Sequence, residues 1–253
     1  SALVRLYMEQ QRWADALIHL QSLVKLQPQN QDHRMRIAHA YLRMKQPDVA
    51  LSFLQETQRK FPLSLNVNEL MAEAHFQLKQ YKASRTQLEY IIEKTPDSQH
   101  AHIQLGWILF LEDKFDEAMD RTKKGLSVGK DPTMITLAHM NLGLYHAVQG
   151  QTEKAESWYR KALTSKDPMI LDAMTQELVD AEVRFPDKPE LTFFRGWILF
   201  EAEDLKKSGP ALQQFLGKKP KGPLADRARK MLEKTGKGDA LAAVEIPKGM
   251  VSV

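Results

Sequence analysis

Of the side chains able to bind a metal or move a proton, few in this 253-residue chain are spaced to act together. There are eight histidines. His139 and His146 fall on one face of a helix but lie about 10 Å apart along its axis, too far to share an ion. His100 and His102, two apart, point to different sides. The stretch Gly125-Leu-Ser-Val-Gly-Lys130 approaches a phosphate loop. It is one residue short between its glycines, carries Asp131 where Ser or Thr would hold magnesium, and follows a helical pattern instead of a strand. Asp113, Asp116 and Glu117 gather where a helix begins, a place that favours acids for its dipole alone. No Gly-x-Ser-x-Gly or His-Glu-x-x-His run occurs, and the absence of cysteine removes disulfides, thiolate metal sites and cysteine nucleophiles together. We expect no catalytic residue, no metal and no cofactor, and do not read the chain as an enzyme.

What remains is the chemistry of contact. The pentapeptide Gly-Trp-Ile-Leu-Phe occurs twice, at 106–110 and 196–200, and each copy sends its Trp and Phe to one side of a helix. The elements that position them follow a ruler. Pro28, Pro62 and Pro96 are 34 residues apart. Counting each proline as position 32, position 7 holds Ile37, Met71 and Leu105, and position 8 holds Ala38, Ala72 and Gly106. Position 20 holds Ala16, Ala50, Ser84 and Ala118; position 24 holds Leu20, Leu54 and Leu88; position 27 holds Leu23, Thr57 and Ile91. Two helices per repeat, each keeping one apolar face, satisfy this pattern. It resembles the tetratricopeptide repeat. That resemblance implies an all-α fold: a right-handed superhelix of antiparallel helix pairs, here with one unpaired helix and a C-terminal capping helix.

In chain order, residues 1–165 read as an array of five repeats, at about 1–30, 31–62, 65–96, 99–130 and 136–167. The first lacks its opening turn, and because the pattern is already helical at the start, a signal, anchor or further domain upstream stays open. Asp97 and Ser98 are capping candidates for the fourth repeat. Gly106 to Gly143 is three residues longer than the ruler, and the excess falls at 128–132, where Asp131-Pro132 reads as a cap and first helical residue. Residues 168–185 match a second helix whose first helix is missing, and we expect the array to break there, into 1–165 and 166–234. The last repeat and the capping helix occupy 189–234, with Gly209-Pro210 expected to delay the repeat's second helix. Residues 235–253 lack helical period; Val244, Ile246, Met250, Val251 and Val253 are expected to be held by some surface, possible self-association included.

Proteins similar to this one bind ligands along positions 2, 5, 9, 12 and 13 of their first helices. Here these are polar and mixed in the second and third repeats (Asp32, Met35, His39, Leu42, Arg43; Asn66, Glu69, Glu73, Phe76, Gln77) and turn apolar afterwards. The residues expected to contact a partner are Ile103, Trp107, Phe110, Met140, Leu144, Phe193, Trp197 and Phe200, unless the unpaired helix, the tail or a tight superhelix covers them. Position 5 carries Met35, Glu69, Ile103 or Met140, so the family's lysine clamp for C-terminal carboxylates is absent. An amphipathic helix or extended apolar peptide suits the groove better.

The net charge of +4 is uneven: from Leu205 onward 11 Lys or Arg face 4 Asp or Glu, leaving 25 against 28 before it. The basic end, with Lys218, Lys219, Lys221, Arg227, Arg229 and Lys230, is read first as a solvated cap and, as an alternative, as a contact for nucleic acid or anionic lipid. Nucleic acid is not the expected partner. No apolar run approaches the roughly 20 residues that span a bilayer. The leading reading is a non-catalytic protein-interaction scaffold, by resemblance of the type that assembles bacterial envelope machinery such as pili, secretion systems or polysaccharide exporters. The other alternative is a docking or regulatory module of a larger enzyme. Cytoplasm and periplasm both permit the composition, and the resemblance leans toward the envelope.

Overall fold

The structure, a computed structural model, describes residues 2–236, which form fourteen helices and, among the described residues, no strand. The expectations for the tail fall outside the described residues from 237 onward. The chain divides into two compact bodies, residues 1–134 and 135–253. The division falls beside the 128–132 stretch where the ruler slips, whereas the sequence pattern had placed a break at 165/166.

The N-terminal body contains α1 (Ala2–Glu9), α2 (Trp13–Leu26), α3 (Gln31–Arg43), α4 (Pro47–Lys60), α5 (Leu65–Gln77), α6 (Tyr81–Lys94), α7 (Gln99–Leu111) and α8 (Phe115–Val128). First helices begin at Asn30, Ser64 and Ser98, whose side chains accept from His33 N, Val67 N and Ala101 N; each cap satisfies an amide that has no partner within the helix. The turn inside each pair uses a left-handed residue, Gln11, Lys45, Lys79 or Asp113, with φ of 57 to 61°. The amides of Arg12, Gln46, Gln80 and Lys114 then reach back to the carbonyls of Tyr7, Tyr41, His75 and Leu109 at 2.8–2.9 Å. This closure uses up carbonyls the helix end leaves free, so non-glycine residues tolerate a strained φ. Only the fifth repeat spends a glycine there, Gly150 at φ 71°.

Pairs approach closely because one position stays small. A Cβ on Gly106 would lie 2.9 Å from the Ala118 carbonyl oxygen. In the third repeat Ser84 Oγ donates to the Ala72 carbonyl at 2.8 Å, and in the last Ser208 Oγ does the same to Gly196 at 2.9 Å. Between pairs the core is aliphatic: Ala38, Leu42, Ala50, Leu54, Val67 and Met71 form one continuous cluster.

The C-terminal body holds most of α9 (Pro132–Val148), then α10 (Thr152–Leu163), α11 (Pro168–Arg184), α12 (Pro189–Glu201), α13 (Leu205–Gly217) and α14 (Pro223–Lys234). The three extra residues of the ruler lengthen α9, which starts at Pro132 as expected, with Asp131 Oδ1 accepting from Met134 N at 2.9 Å. Helix α11 packs along α12 through Met174, Leu178 and Ala181, and Arg195 Nε of α12 donates to Glu182 of α11 at 2.7 Å. Helix α10 also packs on α12, with Tyr159 against Phe194 at 5.5 Å and Arg160 over Trp197 at 4.9 Å, so contacts cross 165/166.

One expectation is corrected. Helix α13 is not delayed by Gly209-Pro210; it starts at Leu205 with Pro210 inside it. Asp204 caps the first turn by accepting from Lys207 N, Ser208 N bonds the Asp204 carbonyl, and Ala211, Leu212 and Phe215 are buried. Proline removes the amide that would bond the Lys206 carbonyl, but Lys206 and Pro210 are both exposed, so water can take that bond.

Candidate interaction surface

Helices α3, α5 and α7 of the N-terminal body contribute half-open or exposed side chains to one strip. From α3 come Met35, His39 and Arg43, from α5 Glu69, Glu73, Phe76 and Gln77, and from α7 His100 and Trp107. The strip is joined across helices: the His39 ring meets Trp13 of α2 edge-on at 5.8 Å, and His100 Nδ1 lies 4.0 Å from Glu69 Oε1. Within α5, Gln77 donates to Glu73 at 3.2 Å. Burial lowers the pKa of His39, with Glu73 opposing and Arg43 adding to the shift, so the imidazole is held neutral. With Asp32, Glu69 and Glu73 against Arg43, the strip is acidic, and Phe76 and Trp107 supply aromatic surface beside the carboxylates.

Of the corresponding positions in the C-terminal body, Met140, Leu144, Ala147, Val148, Phe193 and Trp197 are closed. Phe193 and Trp197 are 0% and 1% exposed. They sit in an aromatic wall in which Phe193 meets Phe194 and Phe215 at 5.5 Å, Phe194 meets Trp197 at 6.0 Å, and Tyr159 meets Phe194 at 5.5 Å. Two guanidiniums roof it: Arg160 lies 4.9 Å over the Trp197 ring and Arg227 of α14 lies 5.4 Å over Phe193. Both converge on Glu156, Arg227 Nη1 at 2.8 Å and Arg160 Nη2 at 2.9 Å, and Arg160 also reaches Glu201 at 2.8 Å. Burial raises the pKa of Glu156, but the hydrogen bonds from Arg227 and Arg160 outweigh it and the net direction is down.

The family of general tetratricopeptide repeats matches residues 70–121 and 136–169, and a family described as subunit 3 of the anaphase-promoting complex, or cyclosome, matches residues 9–91. The chain is a tetratricopeptide repeat protein. Among solved structures this repeat protein is similar to a thermophilic relative from Thermus thermophilus, at 19% identity over 70% of this chain and 96% of that one, with a TM-score of 0.59. A tetratricopeptide repeat protein of Parabacteroides merdae is 12% identical over 93% and 96%, with a TM-score of 0.56. MamA of Desulfovibrio magneticus is 15% identical over 64% and 90%, at 0.55. At these identities the likeness is one of fold. No curated protein matches the sequence.

Of the eight contact residues read from the repeat positions, Ile103, Phe110, Met140, Leu144, Phe193 and Trp197 are buried within the chain, while Trp107 and Phe200 are half-buried. Phe110 packs on Trp107 at 5.4 Å and on Phe115 at 5.7 Å. The sequence did not mark Arg160, Glu156 and Arg227 as a group. Arg160 and Glu156 stand four apart on one helix, a spacing that is legible; Arg227 is 71 residues from its carboxylate and leaves no local trace. The histidines serve packing: His139 tilts against Trp158 at 5.6 Å, and His102 Nε2 lies 2.9 Å from the Pro96 carbonyl. At the basic end, Lys218, Lys219 and Lys221 are exposed in the α13–α14 connection, but Arg229 is paired with Asp226, as Arg227 is with Glu156. Among the described residues no group of three or more His, Asp or Glu could hold a metal, and no helix is long and apolar enough to cross a membrane.

Proposed function

We propose that this repeat protein is a protein-interaction scaffold that receives a partner segment on the α3–α5–α7 strip, and that the segment carries basic as well as apolar side chains. The observation that supports the reading is the half-open acidic and aromatic character of that strip, in contrast to the sealed aromatic wall of the C-terminal body. Glu69 and Glu73 offer charge to a lysine or arginine, and Phe76 and Trp107 offer surface to its aliphatic stem. In this reading Trp107 touches the partner, with Ile103 and Phe110 of the same helix buried behind it; Met140, Leu144, Phe193, Trp197 and Phe200 lie in the C-terminal body, outside the strip. An extended or helical segment fits equally, since neither needs a pocket deeper than the strip. The setting proposed for the chain, bacterial envelope assembly at a pilus, secretion system or polysaccharide exporter, rests on the resemblance of the repeat pattern alone.

The test is affinity capture from the native organism with the wild-type chain, a Glu69→Lys/Glu73→Lys variant and a Trp107→Ala variant, followed by titration of the captured partner. Each variant should weaken binding by about tenfold or more, the size of a lost aromatic or charged anchor. Undiminished binding by both, with loss on altering the C-terminal body, would move the site elsewhere.

A further inference from the structure

The α3–α5–α7 strip sets an imidazole from each outer helix within electrostatic reach of a carboxylate on the middle one. Glu69 and Glu73 stand four apart on α5, so both project from one face. His100 of α7 turns Nδ1 toward Glu69, 4.0 Å from Oε1. His39 of α3 is the counterpart on the other side. Burial lowers its proton affinity, Glu73 of α5 raises it, and Arg43 of its own helix lowers it. From α2 the ring meets only Trp13, edge-on at 5.8 Å. His39, Glu69, Glu73 and His100 are all half-buried, so solvent protons and a docked partner can both reach them.

The neutral His100 ring already aims a proton at Glu69. Its Nε2 lies 2.9 Å from the Gln104 amide nitrogen, which can only donate, so Nε2 accepts and Nδ1 carries the hydrogen. A second proton, on Nε2, needs only a half-turn of that amide, which exchanges its NH2 for its carbonyl. The ring then stands as a cation beside Glu69. With both rings neutral, the strip sets three carboxylates, Asp32, Glu69 and Glu73, against one guanidinium, Arg43. Protonation of His39 and His100 raises the cations to three and cancels the acidic field that a basic segment would meet.

We propose that the strip is a pH-gated site, which takes a basic segment while His39 and His100 are neutral and holds it more weakly once they are protonated. The gate rests on the reading of this strip as the site for a basic and apolar segment. Linkage runs both ways: a lysine or arginine docked beside Glu69 and Glu73 disfavours the two imidazoliums, so docking expels protons. Contact through Phe76 and Trp107 carries no such dependence, so acidification weakens the complex without abolishing it.

The experiment uses the full chain and a rhodamine-labelled synthetic peptide of alternating lysine and leucine, whose charge is constant across the histidine range. By fluorescence anisotropy, its affinity for wild type should fall by about tenfold between about pH 8 and about pH 5, the combined effect of two part-exposed charges. In a His39→Gln/His100→Gln variant the ratio of the two affinities should shrink to about twofold or less, whatever their absolute size. A second readout needs no ligand. In proton NMR the His39 titration should move to lower pH in Glu73→Gln, because the carboxylate that favours the charged ring is gone. Equal binding at both pH values, or a pH dependence that survives the double histidine variant, would overturn the gate and leave the strip as a site for basic segments. Absence of binding at either pH would remove the site and the gate together. An unmoved His39 titration would show that the ring and Glu73 are uncoupled, and would overturn the gate as well.

Discussion

The two Gly-Trp-Ile-Leu-Phe copies start from identical residues and end in opposite states. In α7 the tryptophan is half-buried and Phe110 is sealed; in α12 Trp197 is sealed and Phe200 is half-buried. The residues just before the motif account for part of this. Position 6 is Gln104 in α7, where its amide lies 2.9 Å from His100 Nε2, and Phe194 in α12, where its ring meets Trp197 edge-on. The rest comes from the second helices, because Arg160 covers Trp197 from α10. A repeat position therefore fixes direction, and its neighbours decide whether that direction leads to solvent.

The largest test of the comparison is truncation of each indole. Trp197→Ala should lower stability by about 3–5 kcal/mol, as for a large side chain removed from a packed core. Trp107→Ala, starting half-buried, should cost less than about half of that, read as the shift in chemical denaturation midpoint. Equal losses would mean that the two copies share one environment after all.

The bodies should also differ in how pH acts on them. Burial, with a smaller contribution from Asp180, raises the Glu177 carboxyl on α11 from 4.5 to about 7. Its folded pKa lies above the unfolded one, so its contribution is fully present below pH 4.5 and is lost as pH rises to about 7. The loss is at most about 3 kcal/mol. Histidines act in the opposite sense. Burial lowers the pKa of His39 and His102 in the N-terminal body and of His139 in the C-terminal body, and such groups cost stability as pH falls below 6.5. Glu177→Gln should thus stabilise the chain at pH 8 and leave it nearly unchanged at pH 4, by thermal melting at both values. A variant with the same pH profile as wild type would place Glu177 in contact with water.

Much of the fold was legible because the repeat writes it several times. Pro28, Pro62 and Pro96 gave the period, Ser98 its cap, and the excess at 128–132 its extra turn of α9. The division falls at 134/135 instead of the expected 165/166, where Tyr159 and Arg160 of α10 pack on Phe194 and Trp197 of α12, contacts between residues far apart in sequence that no local pattern announces. Pro210 misled for a local reason: proline's penalty shrinks where the orphaned carbonyl is exposed and the far side of the helix is anchored. The surface was legible only as a set of positions. Nothing near Trp197 in sequence announces Arg160, still less Arg227 over Phe193, so an apolar row that reads as a groove is in large part an interior.

A smaller effect separates the two helix crossings. A Cβ at Gly106 would run into the Thr122 hydroxyl and also meet the Ala118 carbonyl oxygen at 2.9 Å, a backbone atom that can move only with its helix, whereas at Gly196 it would meet the Leu212 side chain at 2.8 Å and backbone only at 3.1 Å. Alanine also regains about 1 kcal/mol of helix propensity over glycine. Gly106→Ala should therefore cost about 2 kcal/mol and Gly196→Ala about 1, since a side chain yields more readily than a carbonyl. The reverse order in denaturant titrations would show that the α12–α13 crossing is the more rigid.

The smallest effect isolates the role of position 6. Gln104→Phe gives α7 the residue that α12 carries at Phe194, with the rest of the motif already the same. If an edge-on phenyl is what draws the indole inward, the new ring should stabilise Trp107 by about 0.5–1 kcal/mol, the scale of an aromatic pair. Part of that gain is offset by the lost contact between Gln104 and His100, so the net change in midpoint should be close to zero. The informative reading is the indole itself: in fluorotryptophan-labelled protein, the Trp107 fluorine signal should lose accessibility to a soluble quencher while the Trp197 signal stays put. An unchanged Trp107 signal would assign the sealing of Trp197 to Arg160 alone, and Arg160→Ala should then expose Trp197 with Phe194 still in place.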